Sequence, residues 1–450
     1  MILPRLEWLL PQPVPEPPTF AGFGRPVATL LARRGFRDDD QLGRFLHAGE
    51  DSLHDISLMA DADQALDRIE RAIEAGEQIA IWGDYDADGM TAVVVWVLAL
   101  RALGIEPLRH VPSRLAEGYG LSLGGLERLR AAGATLVITC DCGVANAVEV
   151  AAAGQLGMDV IVTDHHLPSG ALPRAIAVVD PHRGDCTYPD PDLTGAGIAF
   201  KLASALLARR GRQAADLAGV AAIGTIADMA PMTGESRAIV RLGLDELATT
   251  SRPGLRALLA RSAELPAQPT ARDIGFGIAP RINAAGRIAD AELAMSLLLE
   301  EDPDAAEQIA DELEAVHLER RSLTATTSRR LVPWRPRRQG RVPLRWSATR
   351  GRRACSAWWR IVWSNRSEGR WRSRLLSTTS FADRCERRPI SMSPCRSRRV
   401  PDCFSSAGDT HLPEASACGS PIGTGLPLPS RRCRAPSPRI PGVPRNARRP

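Results

Sequence analysis

The sequence predicts an α/β fold: a mostly parallel five-stranded sheet with flanking helices, then a helical subdomain, a connector helix and a C-terminal tail. Three observations carry this. Short apolar runs alternate with helical stretches between residues 77 and 230, and strand-helix-strand order at this spacing makes a parallel sheet covered on both faces. Glycines stand at the turns, at Gly104, Gly133, Gly143 and Gly157. From residue 195 to about residue 329 the pattern is mainly helical.

Residues 1–76 read as an N-terminal arm and helical lead-in. The prolines of 1–25 suit an extended arm on the surface. Helical patterns follow at 27–34, 38–45 and 61–75, where Asp61 is placed to cap the last helix and Gly76 to stop it. The α/β domain spans 77–230. Its strands fall near 78–83, 107–111, 135–140, 158–163 and 176–180, and its helices near 89–103, 122–132 and 144–153. Further helices are expected at 195–210 and 214–228. A helical part of the same core covers 231–300, with helices at 235–248 and 253–261 and a segment at 271–287. A long polar connector helix covers 301–330, and 331–450 is the tail.

The net charge of +5 conceals a divided chain. Residues 331–450 hold 26 Arg, no Lys and 6 acidic residues, whereas 1–330 hold 31 basic and 46 acidic ones. An acidic first part argues against indiscriminate nucleic-acid binding there, though not against a local basic groove. No stretch reaches the ~18 apolar residues of a membrane span. The N-terminus lacks a basic-then-apolar signal, so a cytoplasmic protein without a membrane partner is expected. Cys140 and Cys142 flank an aspartate without the spacing of a zinc site and read as reduced packing residues. The tail carries 6 of the 9 tryptophans and 6 of the 9 cysteines without helical or strand period. Disorder, or GC-rich DNA read out of frame from near 325–332, is expected there. A basic, aromatic tail for single-stranded nucleic acid is the alternative.

The chemistry gathers at strand ends. After the first strand come Asp84, Asp86 and Asp88 at alternate positions. They read either as a solvated turn in which Asp88 caps the next helix, or as carboxylates whose repulsion a hard divalent cation relieves. Asp141 ends the third strand, Asp164-His165-His166 the fourth and Asp180 the fifth, while Asp228 ends an apolar helix. A parallel sheet gathers such ends on one edge, where ligands of open α/β sheets bind. Carboxylates with one or two imidazoles suit Mn²⁺, and somewhat less well Mg²⁺. Two ions about 3.5–4 Å apart would activate water and neutralise a phosphoryl oxygen. The indicated chemistry is metal-assisted hydrolysis of a phosphodiester or phosphoanhydride.

In order and approximate spacing, Asp84-Tyr-Asp86-Ala-Asp88-Gly89, Asp141-Cys-Gly143, Asp164-His165-His166 and Gly224-Thr-Ile-Ala-Asp228 resemble the DHH phosphoesterases. Pro112-Ser-Arg114, Glu117-Gly-Tyr-Gly120, Asp180-Pro181-His182, Gly195-Ala-Gly-Ile-Ala-Phe-Lys201 and Pro280-Arg281-Ile-Asn283-Ala-Ala-Gly286-Arg287 narrow the likeness. They point to that family's single-strand-specific 5′→3′ DNA exonucleases, from about residue 26 to about residue 325. The resemblance implies a DNA-repair and recombination enzyme with two divalent ions, Mn²⁺ or Mg²⁺, acting on single-stranded DNA. A monomer is expected, with a repair helicase or a single-strand-binding protein as candidate partners. Implied metal ligands are Asp86, Asp88, Asp141 as bridge, His165 and Asp228. Asp84 would complete the set, because Trp82 stands where many relatives carry a ligating histidine. His166 is implied as the scissile-phosphate contact, with Asp164 orienting the imidazoles. Arg114, Arg281, Asn283 and Arg287 are candidates for gripping phosphates. Arg281 and Arg287 could instead pin a loop, and Lys201 is open between a structural and a phosphate role. Asp180 and His182 either touch the site or close a turn. The alternatives in function are a phosphodiesterase on short oligonucleotides or cyclic dinucleotides, and a non-catalytic single-stranded-DNA-binding relative.

Overall fold

The computed structural model describes residue 14 and residues 16–331, apart from 115, 116, 265 and 266. The reading of the tail from residue 332 on, and of most of the N-terminal arm, lies outside the described residues. Helices α1 (Arg25–Arg33) and α2 (Asp39–Leu46) close a small core of Phe20, Ala28 and Leu42. Helix α3 (Ala62–Ala75) follows and stops at Gly76, whose φ of 66° is the left-handed stop expected of it. Asp61 does not cap α3 with its side chain. Its carboxylate instead accepts from the Val178 amide at 3.0 Å and from Arg183 Nη1 at 2.5 Å. Those partners lie more than a hundred residues away in the chain, so the local spacing could not reveal them.

Strands β1 (Gln78–Trp82), β2 (Leu108–His110), β3 (Ala134–Thr139), β4 (Asp159–Thr163) and β5 (Ala177–Val179) stand where the apolar runs place them. They form one sheet in the order β2-β1-β3-β4-β5, parallel throughout. Alternate side chains serve opposite faces. Ile79, Ile81, Leu136 and Ile138 join the larger core with α3, α4 (Ala87–Ala102) and residues of the later helices. Ala80, Trp82, Val137 and Val160 join a second core with α5 (Leu123–Ala131) and α6 (Ala147–Gln155). Burial on both faces explains why the strands read as continuous apolar runs. The order reverses between β1 and β3, which opens a crevice at their carboxyl ends.

The helical part comprises α7 (Gly195–Arg209), α8 (Leu217–Ala227), α9 (Gly234–Thr249) and α10 (Pro253–Ser262). The single turn α11 (Ala271–Asp273) leads through a π turn, Ile274–Ile278, into α12 (Ala279–Ile288). Then come α13 (Ala291–Leu299) and the long α14 (Pro303–Leu331). Lys201 on α7 forms a buried ion pair with Glu235 on α9 at 2.5 Å and also donates to the His54 carbonyl. Of its two open roles, this geometry is the structural one. No helix among the described residues is long and apolar enough to cross a membrane.

Candidate metal centre

The turn after β1 is shaped by glycines that bring backbone close. A Cβ on Gly89 would lie 2.5 Å from the Asp84 amide nitrogen, and one on Gly286 would lie 1.9 Å from the Tyr85 carbonyl oxygen. Asp86, not Asp88, caps α4, accepting from the amides of Asp88 at 3.0 Å and Gly89 at 3.2 Å. Asn283 completes that cap by accepting from the Ala87 amide at 2.9 Å. Asp88 lies inside the first helical turn and is 1% exposed. Its oxygens accept from the amides of Gly195 at 2.7 Å and Ala196 at 3.0 Å, the first turn of α7. A helix start presents free N–H groups, so it holds this buried carboxylate firmly.

Asp141 leaves β3 at φ 62°, a left-handed conformation unusual for a residue other than glycine. It is packed beneath Gly195, where a Cβ would come within 2.6 Å of its own. Asp164 ends β4 and organises the two histidines. Its Oδ1 accepts from the amides of His165 at 2.8 Å and His166 at 3.1 Å, and lies 2.7 Å from His166 Nδ1. His165 Nε2 then lies 2.9 Å from Asp141 Oδ1, 3.7 Å from Asp88 Oδ2 and 3.9 Å from Asp228 Oδ2. His166 Nε2 is buried and lacks a partner, as does Asp84 Oδ1.

Three sets of ligand atoms fall within 4.8 Å of one another: Asp84–Asp86–Asp141, Asp88–His165–Asp228 and Asp141–His165–His166. The first two have the composition of a pair of adjoining cation sites, with Asp141 between them. Electrostatics agree. Burial and Asp86 push Asp88 up to about 7, and burial with Asp88 pushes Asp228 up to about 8. Burial also holds Asp84 and Asp141 well above the usual carboxylate range, helped by their acidic neighbours. Such acids resist ionising together, and a divalent cation supplies the missing counter-charge. Burial and the neighbouring His166 push His165 down to about 3, which favours the neutral ring. His166 differs. Burial opposes its charge, but the Asp164 hydrogen bond prevails and raises it to about 9.

The remaining residues singled out from the sequence divide into two groups. Arg114 lies over the Tyr85 ring at 5.1 Å. With Arg287 it lines a cleft of about 410 Å³ between the loop after β2 and the start of α13. Arg281 is instead engaged: its Nε lies 2.5 Å from Glu314 Oε2 on α14, and its Nη1 donates to the Gly277 carbonyl at 2.8 Å. That is the pinning arrangement. Asp180 is fully buried, which pushes its carboxyl up to about 7, and its Oδ1 accepts from the His182 amide at 2.7 Å, closing the turn at Pro181. Trp82 packs on Gly125 and the His110 ring, on the sheet face that belongs to α5 and α6. One residue lay inside a quoted phrase without a role. The Tyr119 hydroxyl donates to the Asp141 carbonyl at 3.3 Å and lies 3.2 Å from His166 Nδ1. An aromatic between two glycines on the loop after β2 was the available signal.

Residues 78–225 match the DHH family, N-terminal domain. The single-stranded-DNA-specific exonuclease RecJ of Bacillus subtilis (strain 168) is 41% identical over 299 residues, which cover 66% of this chain and 38% of that protein. The chain thus spans well under two thirds of the length of that curated relative. A crystal structure of exonuclease RecJ bound to manganese matches with 37% identity and a TM-score of 0.57, over 61% of this chain and 70% of that one. RecJ of Thermus thermophilus in complex with Mn²⁺ matches with 34% identity and a TM-score of 0.57, over 68% of this chain and 44% of that one. With the carboxylate and histidine sets at the carboxyl edge of the sheet, these likenesses place the chain in the RecJ branch of the DHH phosphoesterase family.

Proposed function

We propose that this chain is a metal-dependent exonuclease that hydrolyses phosphodiester bonds of single-stranded DNA, with the 5′→3′ polarity implied by the sequence resemblance. The observation that carries the reading is the pair of adjoining ligand sets with Asp141 between them. Asp84, Asp86 and Asp141 would hold one divalent cation, and Asp88, His165 and Asp228 the other, with Asp141 reaching both. Oxygen-rich sets with one imidazole suit Mn²⁺ or Mg²⁺, and similar structures of RecJ hold manganese. When bound, such a pair lowers the pKa of water and neutralises charge on the phosphoryl group.

The chain's own residues supply position and charge. Asp164 fixes the His166 ring through Nδ1, which leaves the buried Nε2 without a partner. A charged imidazole there favours an oxygen that gains negative charge during hydrolysis. Burial favours the neutral form of His165, the form in which an imidazole can serve as a ligand. Arg114 and Arg287 flank the cleft beside the cluster, where guanidinium groups can grip the phosphates of the strand.

The test uses a 5′-phosphorylated single-stranded oligonucleotide labelled at its 3′ end, incubated with the full chain and Mn²⁺. A ladder shortening from the 5′ end, absent with Asp141→Ala, is expected. Shortening of a duplex at the same rate, or no shortening by a folded, metal-loaded protein, would overturn the reading.

A further inference from the structure

Tyr119 stands between two glycines that the backbone requires. Gly118 and Gly120 have φ of 90° and 79°, the left-handed region that favours glycine. A Cβ on Gly120 would also lie 2.4 Å from Asn146 Oδ1, the oxygen that accepts from the Leu121 amide at 3.3 Å. Asn146 follows β3, and its amide donates to the Gly143 carbonyl at 2.9 Å. One side of Tyr119 is thus fixed to the loop that carries Asp141.

The other side is fixed by Glu117. Its carboxylate accepts from Ser122 Oγ at 2.9 Å, from Arg128 Nη2 at 2.8 Å and from the Ser113 amide at 3.4 Å. It also lies 3.2 Å from His110 Nε2 on β2. The loop after β2 therefore runs as a strap anchored at both ends. It passes the turn after β1, where Arg114 lies over the Tyr85 ring, and reaches the ends of β3 and β4.

Tyr119 is 44% exposed, yet its hydroxyl is engaged with Asp141 and His166. The two rings meet edge-on, with the Tyr119 and His166 centroids 5.8 Å apart. An aromatic that serves packing buries its ring. This one leaves much of itself in water and commits its polar tip. A hydroxyl has one proton to give. His166 Nδ1 already lies 2.7 Å from the Asp164 carboxylate, so that proton goes to the Asp141 carbonyl. The residue it holds is the one whose backbone is left-handed, at φ 62°. Such a conformation persists where its surroundings over-determine it.

We propose that Tyr119 is a positioning residue for the reaction: its hydroxyl ties the backbone of Asp141 to the His166 ring, and Glu117 acts through it. The proposal rests on the nuclease reading and adds to it a link between the metal-holding carboxylate and the phosphate contact. Tyr119 acts by setting the separation of two groups that must be correctly placed together.

The experiment compares the full chain with Tyr119→Phe, Glu117→Gln and the double variant. Tyr119→Phe keeps the ring and removes only the hydroxyl. On a single-stranded oligonucleotide with Mn²⁺ it should lower kcat by about 10- to 100-fold, with KM held within about twofold. Glu117→Gln should lower kcat in the same way, and the double variant should be no slower than Tyr119→Phe alone. A second readout needs no metal and no activity. In proton–nitrogen correlation spectra of the metal-free chain, Tyr119→Phe should shift the His166 Nδ1 signal, assigned by its loss in His166→Ala. Unchanged kcat and an unmoved His166 signal would overturn the proposal. So would a fall in kcat matched by a lower denaturant midpoint, because the strap would then serve only the fold. Losses that multiply in the double variant would overturn the action of Glu117 through Tyr119. A folded, metal-loaded wild type that cuts nothing brings down the nuclease reading instead, while the His166 signal still tests the contact.

Discussion

Asp141 illustrates how a single residue can be readable in type and hidden in conformation. An acid at the end of a buried strand is legible in the sequence, but its left-handed backbone and its place under Gly195 are not. The same holds for Asp86 and Asp88. Spacing suggested Asp88 as the helix cap, whereas Asp86 caps α4 and Asp88 turns inward to the amides of α7, over a hundred residues away. Two expectations separate the roles at this scale. His166→Ala should keep Mn²⁺ affinity within a few-fold, because Nδ1 is taken by Asp164, yet lower turnover by about 10²–10³-fold. Calorimetric metal titration beside a rate measurement reads both. Asp164→Asn should weaken metal binding or turnover by about 10- to 100-fold, since His166 loses the carboxylate that favours its charged form and an amide NH₂ would face the Val144 N–H that now donates to Oδ2. Unchanged metal affinity and turnover in that variant would show that the rings are held by packing alone.

At the scale of elements, the strands and most helices were legible because apolar runs, glycine turns and strand-helix order are local properties. What escaped was the joining of elements. Arg281 could not be assigned from its phrase, because its partner Glu314 belongs to the connector helix. The π turn was equally hidden: 271–287 reads only as a segment of unassigned form, and the change of register depends on contacts of Gly275 and Gly277 with other helices. Gly286 shows what such joints do for the site. A methyl group there would meet the Tyr85 carbonyl, so Gly286→Ala should push α12 from the aspartate turn and lower turnover by about 10²-fold. A stopped assay with circular dichroism as a fold control checks it. Lys201→Ala should act on stability, not chemistry. It strands Glu235 as a buried charge, and a loss of about 3–5 kcal/mol is expected by denaturant unfolding.

Taken whole, the described part of the molecule is an acidic body that keeps its most crowded carboxylates at one sheet edge. The topology is what brings them there: reversal of strand order between β1 and β3 places Asp84 and Asp141 on facing sides of one crevice. Charge arithmetic alone pointed away from DNA, whereas the positions of the acids suit them to hold a cation. Adding Mn²⁺ should therefore raise the unfolding midpoint, by the equivalent of about 2.7 kcal/mol at a hundred times Kd. Chelation should reverse it, and the effect should shrink in Asp141→Ala. The most direct test of the proposed dinuclear centre combines Mn²⁺ stoichiometry with electron paramagnetic resonance of the loaded protein. Two ions per chain with an exchange-coupled spectrum, reduced to one or none and uncoupled in Asp141→Ala, is the predicted result. A single ion, or two uncoupled ions in the wild type, would contradict the bridging role of Asp141.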